Sequence, residues 1–223
     1  MIRWEHPVKG LLSPDTFLDD ITGSEFIVQL DAWVVNQAFI QVSEWNDLGF
    51  YTVISVNVSS ESILGVGFIE KVLKIRKEYS DVNINQIEFE ILETSLLQDV
   101  HLAKSILSKL RKIGFKIALD DFGTGYSSLS YLRSLPTDYI KIDQGFIRGI
   151  LSNSGDLAIV DGIIQIAKAF NIKVVAEGVE DSDIFDQLNS LGCDIAQGYF
   201  LSKPMQAERV PEWSSSKSMN TLR

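Results

Sequence analysis

The chain has 223 residues, of which 45% are hydrophobic, and this is enough for one domain with a sizeable core. Its formal net charge of −10 argues against binding to polymeric nucleic acid, because such binding needs lysine and arginine to neutralise phosphates. Cys193 is its only cysteine, which excludes an internal disulfide and is typical of a reducing cytoplasm.

Short apolar runs that end near polar residues recur along the first half of the chain. Residues 51–58 contain Asn57 near their end, and residues 87–91 contain Glu90, with Glu93 just beyond. Runs that are this short, this apolar and bounded by turn residues predict interior strands.

A third run, residues 116–119, is followed by Asp120, Asp121 and a loop rich in glycine. Two adjacent carboxylates repel each other, and a divalent cation is their usual compensation. Paired carboxylates that share cations are the core of two-metal phosphodiester chemistry. A helix-capping aspartate beside a solvated one explains this pair equally well, so the pair alone does not decide.

Three further runs follow the same pattern in the second half of the chain. They place these polar side chains at predicted strand ends: Lys141, Asp143, Glu177 and Gln197. Amphipathic stretches lie between the runs, such as residues 100–113 and 157–170, and their three- and four-residue apolar steps predict helices.

The alternation of strands and helices predicts a parallel sheet, and the number of repeats favours a TIM-like (β/α) barrel. In such barrels, polar residues at the carboxyl ends of the strands converge on one face. A single polar residue there is usually a cap or a core hydrogen bond, but five strands in succession favour a functional site. With two histidines and one cysteine, the chain has no imidazole or thiolate cluster, so oxygen ligands for Mg²⁺ or Mn²⁺ are expected.

Several motifs together make the chain resemble the EAL domain family, the cyclic di-GMP phosphodiesterases of bacterial second-messenger signalling. The matching motifs are Val-Asn-Val-Ser at 56–59, Asp-Asp-Phe-Gly-Thr-Gly-Tyr-Ser-Ser-Leu at 120–129, Ile-Lys-Ile-Asp at 140–143, Val-Ala-Glu-Gly-Val-Glu at 175–180 and Ala-Gln-Gly-Tyr at 196–199. The resemblance runs from Ile2 to about Met205 in the family's order. We expect one EAL domain at residues 1–212 and a disordered polar tail at 213–223.

The resemblance also implies the roles of individual residues. The implied ligands of two Mg²⁺ or Mn²⁺ ions are Asn57, Glu90, Asp120, Asp121 and Glu177. The implied catalytic residues are Lys141, beside the attacking water and a phosphate, Glu177, which completes the metal and water shell, and Glu93, which holds the loop after the Asp pair. The implied substrate-binding residues are Arg3, Gln197 and Asp143.

The glutamate of the family's Glu-Ala-Leu motif, itself a metal ligand, has no counterpart, because Met1 falls where the leucine stands. We therefore expect a barrel that lacks its first strand or strands, a weakened metal site and impaired turnover. Two hypotheses stay open. One is a hydrolase that opens cyclic di-GMP to linear pGpG, and the other is a degenerate module that senses cyclic di-GMP or binds a protein partner.

The remaining expectations concern partners and location. Relatives commonly form homodimers, and they are often fused to sensor or GGDEF domains, so a homodimer and a longer parent protein are expected. No apolar run reaches the length of about 18 residues that a membrane span needs, so no membrane insertion by this chain is expected. The resemblance implies a bacterial cytoplasmic protein.

Overall fold

The computed structural model describes residues 2–125 and 129–216, and its strands are short. They are β1 (Trp4–His6), β2 (Gly10–Leu12), β3 (Ile54–Asn57), β4 (Ile87–Leu92), β5 (Lys116–Phe122), β6 (Tyr139–Ile142), β7 (Lys173–Glu177) and β8 (Ile195–Gln197). The first two form an antiparallel hairpin. The other six form one sheet in chain order, in which every neighbouring pair is parallel.

Helices precede the parallel sheet, connect its strands and follow it. The α-helices are α1 (Leu18–Ile21), α2 (Glu25–Asp47), α3 (Ser60–Ile63), α4 (Phe68–Glu78), α5 (Val100–Ile113), α6 (Leu129–Ser134), α7 (Gln144–Gly149), α8 (Ser154–Ala169), α9 (Ser182–Leu191) and α10 (Val210–Ser216). Single turns of 3-10 helix occur at Pro14–Thr16, Ile84–Gln86 and Ala207–Arg209, and a longer one at Glu93–Gln98. Among the described helices, none combines the length and the apolar character that crossing a bilayer requires.

The parallel sheet curls into a half-barrel with helices around it. Within the described residues β3 pairs only with β4, and β8 pairs only with β7, so the six-stranded sheet stays open. A closed TIM barrel has eight strands. The predicted fold, an α/β barrel of the TIM type that lacks strands, is therefore confirmed.

The core lies between the sheet and its helices. Ile117 and Leu119 occupy alternate positions of β5 and therefore share one face of the strand. Both are fully buried, as are Leu107 and Leu110 on the apolar face of α5. Truncating one such leucine to alanine typically costs about 2–5 kcal/mol, because the cavity collapses only in part. This packing fixes the sheet, and with it the positions of the strand ends.

Capping residues set the boundaries of two predicted helices. Residues 100–113 are helical as predicted, because the Asp99 side chain accepts the N–H of Leu102 over 2.9 Å and Gly114 ends the helix at φ 119°. The helix predicted at residues 157–170 instead starts at Ser154, where the Asn153 side chain caps the first turn.

Two sequence-based expectations need correction at their boundaries. The strand predicted at residues 51–58 is shorter, because β3 covers only Ile54–Asn57 and leaves Tyr51 and Val53 exposed. Residues 213–216, predicted to be disordered, form the second half of α10, which has Pro211 and Glu212 in its first turn. The rest of the predicted tail, residues 217–223, lies outside the described residues.

Candidate active site

The carboxyl ends of β3 and β4 place an amide beside a carboxylate. Asn57 and Glu90 are register partners in adjacent parallel strands. The Nδ2 of Asn57 donates to Oε2 of Glu90 over 3.0 Å, and the N–H of Val58 donates to the carbonyl of Glu90 over 2.9 Å. Strand pairing alone thus brings together two of the predicted metal ligands.

Lys141 of β6 lies among three carboxylates. Its Nζ is 2.6 Å from Oε1 of Glu177, 3.0 Å from Oε2 of Glu90 and 3.2 Å from Oδ1 of Asp120, and the residue is only 4% exposed. Burial alone would lower the pKa of Lys141, but the attraction of Glu90, Glu177 and Asp120 outweighs it and holds this pKa above its usual value. Lys141 is therefore a permanent cation in the site at neutral pH.

Asp120 and Asp121 end β5 in an irregular conformation. Successive residues of a regular strand point to opposite faces. Here the pairing of β5 with β6 shifts register between Leu119 and Phe122, and Asp121 has φ 52°, a left-handed conformation that aspartate tolerates better than most residues. This turn lets two consecutive aspartates serve one site.

The oxygens of Asp120, Asp121 and Glu177 form a compact acidic cluster. One carboxylate oxygen from each residue lies within 4.8 Å of the others. Burial, followed by the charges of Asp120 and Asp143, raises the pKa of Asp121. Burial also raises the pKa of Glu177, although the nearby Lys141 opposes the shift. In both groups burial is the main cause of the raised pKa, and the neighbouring carboxylates add to it.

The residues at the carboxyl ends of the parallel strands, which form the mouth of the half-barrel, fit a metal ion. Hard carboxylate and amide oxygens are the ligands that Mg²⁺ and Mn²⁺ prefer, and the cluster offers carboxylate oxygens from two strands, β5 and β7. Lys141 contributes one positive charge toward the carboxylates of Glu90, Asp120 and Glu177, which leaves a deficit that a divalent cation would remove. The acidic cluster can therefore hold a metal ion.

Glu93 is not part of the acidic cluster. It follows β4 directly and contacts the loop after Asp120 and Asp121. It is 1% exposed, and its Oε2 accepts the N–H of Gly123 over 3.2 Å. Its Oε1 is buried and has no hydrogen-bond partner among the described residues. Burial raises the pKa of Glu93, although the hydrogen bond from Gly123 opposes this.

The raised pKa of Glu93 predicts a pH effect on stability. Because the folded state holds this proton more tightly than the unfolded state, the contribution is complete below the ordinary pKa of 4.5 and is lost as pH rises through the folded-state pKa. We expect Glu93→Gln to lack this loss, so that its stability relative to the wild type increases from about pH 4 to about pH 8. Urea denaturation across this range measures the difference. Glu78→Gln, at an exposed position, should show no such trend. A stability difference between Glu93→Gln and the wild type that stays constant across this pH range would contradict the prediction.

The three predicted substrate-binding residues lie outside the acidic cluster. Arg3 is exposed, and its Nη1 donates to the carbonyl of Ile2 over 2.8 Å. Asp143 caps α7 by accepting the N–H of Gly145 over 2.9 Å, and it is close enough to influence Asp121. Gln197 is exposed at the end of β8, in register with Glu177. Their roles stay predictions.

The sequence alone suggested no role for one buried glutamate on the strand that carries Glu90. Glu88 precedes Glu90 by two residues on β4, is buried, and accepts a hydrogen bond from Oγ of Ser55 over 2.7 Å. Burial raises its pKa, and the hydrogen bond from Ser55 partly offsets this. The i, i+2 spacing of the two glutamates was the available signal, since it places both on one face of the strand.

Comparison with known proteins decides the family. The family model described as the EAL domain matches residues 1–204. The chain belongs to the EAL domain family. The bifunctional diguanylate cyclase/cyclic di-GMP phosphodiesterase MucR of Pseudomonas aeruginosa is 38% identical to this EAL domain over 94% of the chain and 31% of MucR. The cyclic di-GMP phosphodiesterase PdeR of Escherichia coli is 34% identical over 96% of the chain and 32% of PdeR. The chain thus spans about a third of the length of these relatives.

Solved structures support the same placement of this EAL domain. The MucR phosphodiesterase in complex with c-di-GMP has a TM-score of 0.88 and 38% identity, and the match covers 93% of this chain and 84% of that one. The FimX EAL domain, at a TM-score of 0.85 and 22% identity, covers 92% of this chain and 82% of its own, and shows likeness of fold alone. The fold and the family therefore agree.

Proposed function

We propose that this EAL domain hydrolyses cyclic di-GMP, opening it to linear pGpG by attack of water on one phosphodiester bond. The observation that carries the proposal is the convergence of Asn57, Glu90, Asp120, Asp121 and Glu177 around Lys141. It is supported by relatives that are named as cyclic di-GMP phosphodiesterases and by the solved MucR complex with c-di-GMP.

Two divalent cations, Mg²⁺ or Mn²⁺, are part of the proposal. Asp120, Asp121 and Glu177 would hold one of them, and Asn57 and Glu90 would complete the site with Asp120 for the other. When bound, the cations lower the pKa of water and neutralise charge on the phosphodiester.

The protein's own residues then orient and stabilise the reactants. Lys141 keeps its proton at neutral pH, so its ammonium can donate hydrogen bonds to the attacking water and to a phosphate oxygen and stabilise the charge that develops there. Glu177 contacts this ammonium and holds its position. Arg3, Gln197 and Asp143 are proposed to bind the dinucleotide, and Glu93 to hold the loop that carries Asp121.

The remaining expectations complete the proposal. The EAL domain works as a homodimer in the bacterial cytoplasm, and it is part of a longer protein with a fused sensor or GGDEF domain. The length of the relatives supports the last point, because MucR carries a diguanylate cyclase activity beside its phosphodiesterase activity and this chain matches 31% of it.

Incubation with cyclic di-GMP tests the function directly. We expect the purified chain with Mg²⁺ or Mn²⁺ to form linear pGpG, seen by chromatography, and we expect a chelator to stop the reaction. Binding of cyclic di-GMP without product would replace the hydrolase with the second candidate, a sensing module. Neither binding nor product would contradict both candidates.

A further inference from the structure

A buried carboxylate on α2 reaches the loop that follows β3. Asp31 is 6% exposed, and its Oδ2 accepts three hydrogen bonds. The donors are the N–H of Ser59 at 2.9 Å, the Oγ of Ser59 at 2.6 Å and the Oγ of Ser62 at 2.6 Å. Among the described residues no lysine, arginine or histidine forms an ion pair with it. Three neutral donors therefore hold this charge.

The placement of Asp31 breaks the apolar pattern of its helix. Asp31 follows Ile27 and precedes Val35 at steps of four residues, and both of these neighbours are buried. A carboxylate on the core-facing side of a helix is costly unless it is fully hydrogen-bonded. Ser59 and Ser62 supply three such hydrogen bonds to Oδ2, and Ser59 also caps α3 by accepting the N–H of Ser62 over 3.2 Å. The position of the Ser59 loop is thus tied to α2.

The carboxyl end of β3 depends on these hydrogen bonds because β3 lies at the edge of the sheet formed by the described strands. It has four residues and, in the described part of the chain, pairs only with β4. On that side, Val58 donates to the Glu90 carbonyl and Asn57 to the Glu90 side chain. On the other side of Val58, Ser59 is fixed by Asp31. Asn57 therefore lies two residues from an anchor on α2 that, among the described residues, no second neighbouring strand supplies.

We propose that Asp31 is a positioning residue for the candidate metal site: through Ser59 and Ser62 it fixes the carboxyl end of β3 and so aims Asn57 at the cation. This rests on the proposed function, in which Asn57 is a ligand. Asp31 touches neither cation nor substrate. Its removal lets the loop after β3 shift, and Asn57 then loses the geometry that it shares with Glu90.

Mn²⁺ binding to the whole chain tests the proposal, by isothermal titration calorimetry. Indirect ligand supports of this kind commonly change metal affinity by about 10–100-fold, so we expect Asp31→Ala to weaken Mn²⁺ binding by about that factor. Asp31→Asn keeps an oxygen acceptor for the two serines and should recover much of the affinity. This graded pair separates loss of the hydrogen bonds from loss of the side chain.

Val42→Ala is the matched control for a purely structural effect. Val42 is buried on the same helix, is 1% exposed, and lies about three turns beyond Asp31. We expect this variant to melt at a lower temperature while it keeps the wild-type affinity for Mn²⁺. Unchanged Mn²⁺ affinity in Asp31→Ala, or an equal loss in Val42→Ala, would overturn the positioning role.

The same experiment keeps this inference separate from the proposed hydrolysis. Wild-type chain that binds Mn²⁺ without forming pGpG would refute the hydrolase, while a weakened Asp31→Ala would still support the positioning role. Wild-type chain that forms pGpG, together with an unaffected Asp31→Ala, would refute the positioning role alone. Absence of Mn²⁺ binding in the wild type would overturn both.

Discussion

Replacing Asp120 with asparagine is expected to lower hydrolysis of cyclic di-GMP by more than about 100-fold, because even residues that only support a metal ligand often change activity by 10–100-fold. Asp120 is central to the site, since its oxygens lie beside those of Asp121 and Glu177 and beside Nζ of Lys141. Asparagine keeps the size of the side chain but removes the negative charge. The measurement is the rate of pGpG formation at saturating Mn²⁺.

The control for Asp120→Asn is the same exchange at an exposed site. Asp186 is exposed on α9, and Asp186→Asn removes one carboxylate without touching the mouth of the barrel. It should keep the wild-type rate. Equal rates for the wild type and Asp120→Asn would mean that the metal site lies elsewhere.

Replacing Lys141 with methionine is expected to cost about 3–5 kcal/mol of folding free energy in the absence of metal, because one partner of a buried ionic group is removed. Glu90, Asp120 and Glu177 would then face one another without a cation. Mn²⁺ should restore more stability to this variant than to the wild type, since the ion supplies the missing positive charge. Hydrolysis should not return, because the ammonium group itself is absent.

Urea denaturation with and without Mn²⁺ measures this effect. Lys173→Met is the matched control, because Lys173 is exposed at the start of the neighbouring strand β7. It should lose little stability and gain no extra response to Mn²⁺. A Lys141→Met variant as stable as the wild type without metal would contradict the description of Lys141 as the internal counter-charge of the site.

The fold and the grouping of polar side chains at the strand ends could be predicted because both follow from local patterns. Apolar runs of strand length that end in polar residues indicate a parallel sheet, and the carboxyl ends of its strands share one face. This rule was enough to group Asn57, Glu90 and Asp120 before any geometry was known. The structure places Asn57 in contact with Glu90, and Lys141 in contact with both Glu90 and Asp120.

Other features could not be predicted because they depend on packing between distant segments. The left-handed conformation of Asp121 requires the register shift in β5, which no local pattern shows. In the sequence, Asp31 is an ordinary polar residue of a helix, and only the structure shows that Ser59 and Ser62 donate hydrogen bonds to it. Residues 213–216 belong to α10, whose first turn contains Pro211, whereas composition alone indicated a disordered tail.

The central claim is that side chains from separate strands hold divalent cations at one mouth of the half-barrel. Anomalous X-ray scattering from crystals grown with Mn²⁺ tests it most directly, because the signal reports the position of the metal itself. The account predicts a strong peak in contact with carboxylate oxygens of Asp120, Asp121 and Glu177. Ordered Mn²⁺ elsewhere on the protein, with no peak at these three side chains, would contradict it.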